Sequence, residues 1–112
     1  MNTEAQLFKK YQTVGISRGE ECLLRHAEAL HFLTDCGRLG FAILGMDFYR
    51  QEGTDVIELL ETADHSSLSG QKDAAQRSIA AARRLIQAHL PDEAMWVSFT
   101  VEAQDTQSHR KG

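Results

Sequence analysis

The chain of 112 residues contains only two cysteines, the residues that cross-link small folds, and one proline, the residue that interrupts helices and strands. Two cysteines cannot form a disulfide framework, and no apolar segment is long enough to span a membrane. The first ten residues contain Glu4 and two lysines in place of the apolar core of a secretory signal. We therefore expect a cytoplasmic protein with no membrane partner.

The spacings typical of metal, nucleotide and nucleic-acid sites are also missing. Cys22 and His26 are four residues apart, but structural zinc needs four ligands, and a free cysteine in an apolar stripe is usually a small hydrophobe. Arg83 and Arg84 lack interleaved aromatic residues. Three glycines follow neither a dinucleotide nor a phosphate-loop pattern: Gly37, Gly40 and Gly45. The sequence therefore predicts no metal, no cofactor, no catalytic residues and no nucleic-acid partner.

The composition is that of an ordinary soluble domain, with 42% hydrophobic and 25% charged residues. A chain of this length buries roughly two thirds of its unfolded surface without a staple. We expect a single domain over residues 1–112, with a helix and connection in 1–16 and a frayed polar tail in 103–112.

The segment Gly40–Arg50 is apolar on both alternating sets in its first half, as in a strand covered on both sides. Farther along, one set stays apolar, whereas the other becomes Gly45, Asp47 and Tyr49. The sequence therefore predicts a central strand with one core face and one face suited to contacts.

Periodicity and turn residues predict the other elements, which are an N-terminal helix from Thr3 to Gln12, a helix over 18–36, a strand over 55–62, a helix over 72–89 and a strand from Met95 to Glu102. Ser17 and Glu20 have the spacing of a capping box at the start of the second helix, and Gly37 would close it. On that helix Cys22 and Cys36 would lie about 21 Å apart, which predicts free thiols.

These elements predict an α+β fold built on a three-stranded antiparallel sheet. The final strand runs antiparallel to the first, and the order 2-1-3 puts the doubly apolar strand in the centre. The helices would pack mainly on one face of the sheet. The alternative order 1-2-3 would put the strand with Asp55, Glu58 and Glu61 in the centre, where carboxylates are unfavourable.

The net charge of −4 is concentrated in residues 47–64, which hold six acidic residues and only Arg50 as a base. Such an acidic hairpin repels nucleic acid and attracts basic proteins. Two further residues are unusual for their strands. Asp47 either accepts a hydrogen bond from a loop amide or is functional, and Trp96 either packs under the first helix or is an anchor for a partner.

Four features occur in order along the chain: the motif Leu44-Gly45-Met46-Asp47-Phe48-Tyr49, the acidic hairpin, the motif Arg77-Ser78-Ile79 and a hydrophobic final strand. In this combination the chain resembles small immunity proteins of bacterial polymorphic-toxin and contact-dependent inhibition systems. The resemblance covers roughly residues 39–102. It implies a cytoplasmic, non-enzymatic protein that neutralises the C-terminal domain of a cognate toxin, which the acidic hairpin suggests is basic. The expected contacts are Asp47, Tyr49, Glu58, Glu61, Asp64 and Trp96.

Two other functions are compatible with the same residues. Asp47 and Tyr49 could line the pocket of a small ligand-binding domain or enzyme, which requires an enclosed cavity and a perturbed carboxylate. The exposed face could equally serve a subunit-interaction domain that has no toxin partner.

Overall fold

The computed structural model describes residues 4–19, 21–65 and 73–103, except for the side chains of residues 60 and 61. Three helices and five strands follow one another in these ranges: α1 Glu4–Gln12, β1 Ile16–Arg18, β2 Glu21–Leu23, α2 His26–Leu39, β3 Phe41–Glu52, β4 Asp55–Asp64, α3 Ala74–His89 and β5 Met95–Ala103.

The larger sheet has three antiparallel strands in the order β4-β3-β5. This confirms the predicted α+β class and the position of the Gly40–Arg50 segment as the central strand. Glu52 pairs with Asp55 across a two-residue turn, where Gly53 has a φ of 65° that favours glycine. Both strands of this hairpin are longer than predicted: β3 continues to Glu52 and β4 continues to Asp64.

The main core lies between the helices and one face of this sheet. Phe32 of α2 stacks on Phe99 of β5 with ring centroids 4.7 Å apart, and Phe8 of α1 packs on Phe32 at 5.2 Å. From α3, Ile79 and the fully buried Ile86 join the same cluster. All three helices therefore contribute to one core, as the predicted packing on one face requires.

The largest departure from the prediction lies in residues 16–25. The sequence predicts a helix that begins at residue 18, but Ile16–Arg18 and Glu21–Leu23 form a second, two-stranded sheet, and α2 begins only at His26. Ser17 is paired with Cys22 in this hairpin, so it does not cap a helix, and Glu20 of the predicted capping box lies outside the described residues. Leu23 is fully buried against the larger sheet. Burial on the sheet therefore outweighs the helical periodicity of this segment.

Several smaller boundaries also differ. Gly37 is inside α2, and Gly40 closes that helix with a φ of 85° and an amide that donates to the Cys36 carbonyl at 2.9 Å. Cys22 lies on β2 and not on the helix that carries Cys36; both are buried free thiols. Ala103 still belongs to β5, and the rest of the predicted tail lies outside the described residues.

Candidate functional site

The face of the larger sheet that points away from the helices carries the predicted contact residues of β3 and β5. Asp47 pairs with Ser98, and Tyr49 pairs with Trp96. Because side chains alternate along a strand, these four residues share one face. The β1–β2 hairpin covers part of that face through Leu23, which packs against Tyr49 and Trp96 in a second apolar cluster.

Trp96 is buried beneath this hairpin, with 6% of its surface exposed. The guanidinium of Arg25 lies 4.4 Å from the centroid of its ring, and the indole Nε1 donates to Gln51 Oε1 at 3.1 Å. Arg25 also donates to the same oxygen at 3.3 Å. Trp96 therefore packs under the residues before α2 and not under α1, and its ring has no free face for a partner in this conformation.

Tyr49 is fully buried, and its hydroxyl donates a hydrogen bond to Glu21. Burial, followed by this bond to the Glu21 carboxylate, raises the pKa of Tyr49 to about 12. Arg18 lies over the ring with its guanidinium carbon 5.2 Å from the centroid. Ser98 also donates to Glu21 Oε1, at 3.2 Å. Glu21 thus accepts bonds from two strands of the larger sheet and fastens the hairpin to it.

Asp47 is half-buried beside this cluster. Burial, and then the nearby negative charge of Glu21, raise the pKa of Asp47 above its usual value. The carboxylate is therefore perturbed, as a ligand-binding function would require. However, its neighbour Tyr49 has no exposed surface, so the two side chains do not line an open pocket together.

The acidic hairpin formed by β3 and β4 is the part of the predicted site that faces solvent. Glu52, Asp55 and Glu58 are all exposed. Arg50, the one base in residues 47–64, donates to Asp92 Oδ2 at 3.0 Å in an exposed ion pair. Arg50 thus pairs with a carboxylate outside the hairpin, and six acidic residues against this one base give residues 47–64 a net negative charge.

The predicted contacts thus fall into two groups. Asp47, Tyr49 and Trp96 lie on the face beneath or beside the β1–β2 hairpin, whereas Glu58 and Asp64 are exposed on β4. The side chain of Glu61 lies outside the described residues. Three residues that meet the site were not predicted: Arg18, Glu21 and Arg25. They lie in residues 18–25, where the sequence predicts a helix, and the one local signal against that helix is the turn residue Gly19.

A separate cavity of about 330 Å³ opens between α1 and α2. Its lining includes Tyr11 and Asp35, whose side chains bond to each other at 2.5 Å. Lys10 and Arg38 also donate to Asp35, at 2.8 and 3.0 Å. The carboxylate already has three donors, so this cluster is a structural link between the helices.

Neither a metal site nor a membrane-spanning helix in the described residues, nor a match to a known protein, adds to the description of this site. Within residues 4–19, 21–65 and 73–103, no three His, Cys, Asp or Glu side chains are grouped so that they could hold a metal ion. None of the helices in these ranges combines the length and the apolar character needed to cross a membrane. Comparisons with protein families, with curated proteins and with solved structures give no significant match.

Proposed function

We propose that this protein is an immunity protein that binds the basic C-terminal domain of a bacterial toxin and blocks it by direct contact, without catalysis. The observation that carries the proposal is the acidic hairpin of β3 and β4, which exposes carboxylates at Glu52, Asp55 and Glu58. A charged surface of one sign draws an oppositely charged partner into the correct orientation. The resemblance of the Leu44–Tyr49 motif to immunity proteins supports the same function in the cytoplasm.

The geometry changes the roles expected of the aromatic residues. Tyr49 and Trp96 are buried with Leu23, so they support the base of the acidic hairpin from beneath. The direct contacts then come from the exposed carboxylates. A pocket enzyme or ligand-binding domain at Asp47 and Tyr49 is the weaker alternative, because Tyr49 is inaccessible.

The test is the rate at which the protein associates with the toxin domain encoded beside it, measured by surface capture at low and high salt. Replacing both Glu52 and Glu58 by Lys changes the charge of the hairpin by four. We expect association at low salt to slow by about tenfold or more, and its salt dependence to flatten. The control for position is Glu4→Lys, which changes the charge by two and is compared with each single variant, Glu52→Lys and Glu58→Lys. Glu4 is exposed near Thr100, which pairs with Gly45 at the end of the sheet remote from the β3–β4 turn.

Growth protection separates toxin neutralisation from ordinary subunit interaction. Cells that express the toxin domain should grow with the wild-type protein or with the Glu4→Lys variant, and should grow more slowly with the double variant. Equal association rates for the double variant and the control at low salt would show that the hairpin is only a solvated surface. Binding without protection would favour a subunit-interaction domain.

A further inference from the structure

The three-stranded sheet has two outer edges, and they differ in the described part of the chain. On the β5 edge, Leu24 donates to the Val97 carbonyl at 2.8 Å and accepts from the Val97 amide at 2.9 Å. β4 is last in the strand order, and no described segment pairs with its outer side. An open edge offers unpaired amides and carbonyls to another extended chain.

The backbone directions identify which groups of β4 face outward. The amide of Gln51 donates to a carbonyl on the β5 side at 2.7 Å, so its neighbour Glu52 faces β4. Glu52 pairs with Asp55 across the turn, and therefore Asp55 faces inward. Since residues alternate along the strand, the amides and carbonyls of Val56 and Glu58 face away from β3.

The regular part of this edge is short. Tyr49 pairs with Glu58, but Asp47 pairs with Thr62, so β4 has two extra residues at this point. Such a bulge bends a strand and interrupts its edge. The straight, open edge therefore extends over residues 55–58, which is enough for a short extended segment.

The side chains along this edge define the kind of segment that fits. Asp55 and Glu58 are exposed carboxylates, and Ile57 is a large apolar residue with 45% of its surface exposed. A second copy of the same edge would bring like charges together, which is unfavourable between paired strands. A partner strand with basic residues and an apolar residue beside Ile57 would complement both features.

We propose that the outer edge of β4 binds a short, extended, basic segment of the protein partner, which pairs as an added strand with Val56 and Glu58. This inference rests on the proposed function, because it specifies how a basic partner docks on the acidic hairpin. Main-chain bonds would supply affinity and register, and the carboxylates would select the charge.

The experiment uses the full chain and a short peptide in which lysine and valine alternate, with a second peptide of the same sequence that is N-methylated on its central residues. The methylated peptide keeps the charge but lacks the amide donors. Binding is followed by NMR titration at low salt. We expect the unmodified peptide to bind, to slow the exchange of the Val56 and Glu58 amides, and to bind about fivefold or more tightly than the methylated one.

A pair of protein variants tests the same edge by changing the protein and not the peptide. Val56→Pro removes one outward amide and leaves the β3–β4 bonds intact, because proline is tolerated where an edge N–H faces solvent. Val56→Ala removes the side chain but keeps the amide. We expect the peptide to bind the proline variant about fivefold more weakly than the alanine variant.

The outcomes separate this inference from the proposed function. Equal binding of both peptides to the wild-type chain, or no binding of the unmodified peptide, would refute strand addition even if the charge-reversal experiment succeeds. If the proline variant does not fold, the peptide comparison on the wild-type chain decides. If the peptide binds as an added strand but the Glu52 and Glu58 reversals do not change the association rate of the toxin domain, the toxin proposal fails and the site on the β4 edge remains.

Discussion

The carboxylate of Asp35 should stabilise the fold at neutral pH and lose this effect in acid. Its side chain is 11% exposed and accepts from Lys10 at 2.8 Å, from Arg38 at 3.0 Å and from Tyr11 at 2.5 Å. Burial alone would raise the pKa of Asp35, but the hydrogen bonds from these three donors outweigh it and lower the pKa from 3.8 to about 2.

This lowering sets the expected magnitude for Asp35→Asn. A pKa that falls from 3.8 to about 2 corresponds to roughly 2.5 kcal/mol of stability. Lys10 and Arg38 are 63% and 62% exposed, so solvent screens both charges. We therefore expect the variant to lose about 1–2 kcal/mol in its free energy of unfolding at pH 7, measured by urea denaturation.

The pH dependence identifies the cause. The folded pKa of Asp35 is below its unfolded value, so the unfolded chain takes up the proton first as the pH falls. The contribution is complete above the unfolded value of 3.8 and is lost as the pH falls through the folded value of about 2. The difference between wild type and Asp35→Asn should therefore shrink steadily as the pH falls from 3.8 to about 2.

Two further variants separate the charge from the hydrogen bond. Tyr11→Phe removes one donor and should cost about 1 kcal/mol at pH 7. Asp55→Asn removes a carboxylate at an exposed position and should change stability by less than about 0.5 kcal/mol. Equal stability of Asp35→Asn and wild type at pH 7, or a difference that stays constant down to pH 2.5, would refute the assignment of a stabilising charge to Asp35.

Two backbone contacts give further predictions. Ser78→Ala should cost about 1–3 kcal/mol in the free energy of urea unfolding, because the buried Ile43 amide loses its acceptor at 2.9 Å; unchanged stability would refute this role. Gly15→Ala should cost a similar 1–3 kcal/mol, roughly, because its Cβ would lie 2.4 Å from the Leu23 carbonyl oxygen. The control is Gly37→Ala, because the nearest atom to a Cβ at that position is 3.6 Å away. In thermal denaturation, Gly15→Ala should have a lower melting temperature than Gly37→Ala.

The strand order could be predicted because each step depended on local residues. Phe41 to Leu44 are apolar on both alternating sets, a pattern typical of a strand that is covered on both faces and therefore lies inside a sheet. Gly53 then requires a tight turn, which makes the next strand antiparallel, and Pro91 ends the third helix before the last strand. The structure has the same order, β4-β3-β5.

The β1–β2 hairpin could not be predicted by the same method. Leu23 fits the apolar stripe of a helix as well as it fits a strand, and its partners Tyr49 and Trp96 are distant in sequence. Local periodicity contains no information on such long-range contacts, and here these contacts determine that the segment is a strand and not a helix. The local signal was Gly19, whose φ of 61° suits the turn between the two strands.

This missed hairpin also explains why the candidate site changed. On an isolated three-stranded sheet, Tyr49 and Trp96 would stand on an open face and would be good contacts for a partner. In the structure, Leu23 packs on Tyr49 and Trp96, and Arg18 and Arg25 lie over their rings. The apolar surface of both aromatic residues is therefore covered within the protein. Asp55 and Glu58 of β4 stay exposed beside this cover, because the backbone pairing of the cover with the sheet, through Leu24 and Val97, lies at the opposite edge. For the proposed protein partner, we therefore expect specificity to come from the positions of the carboxylates and the backbone register of the open strand edge more than from a buried aromatic anchor.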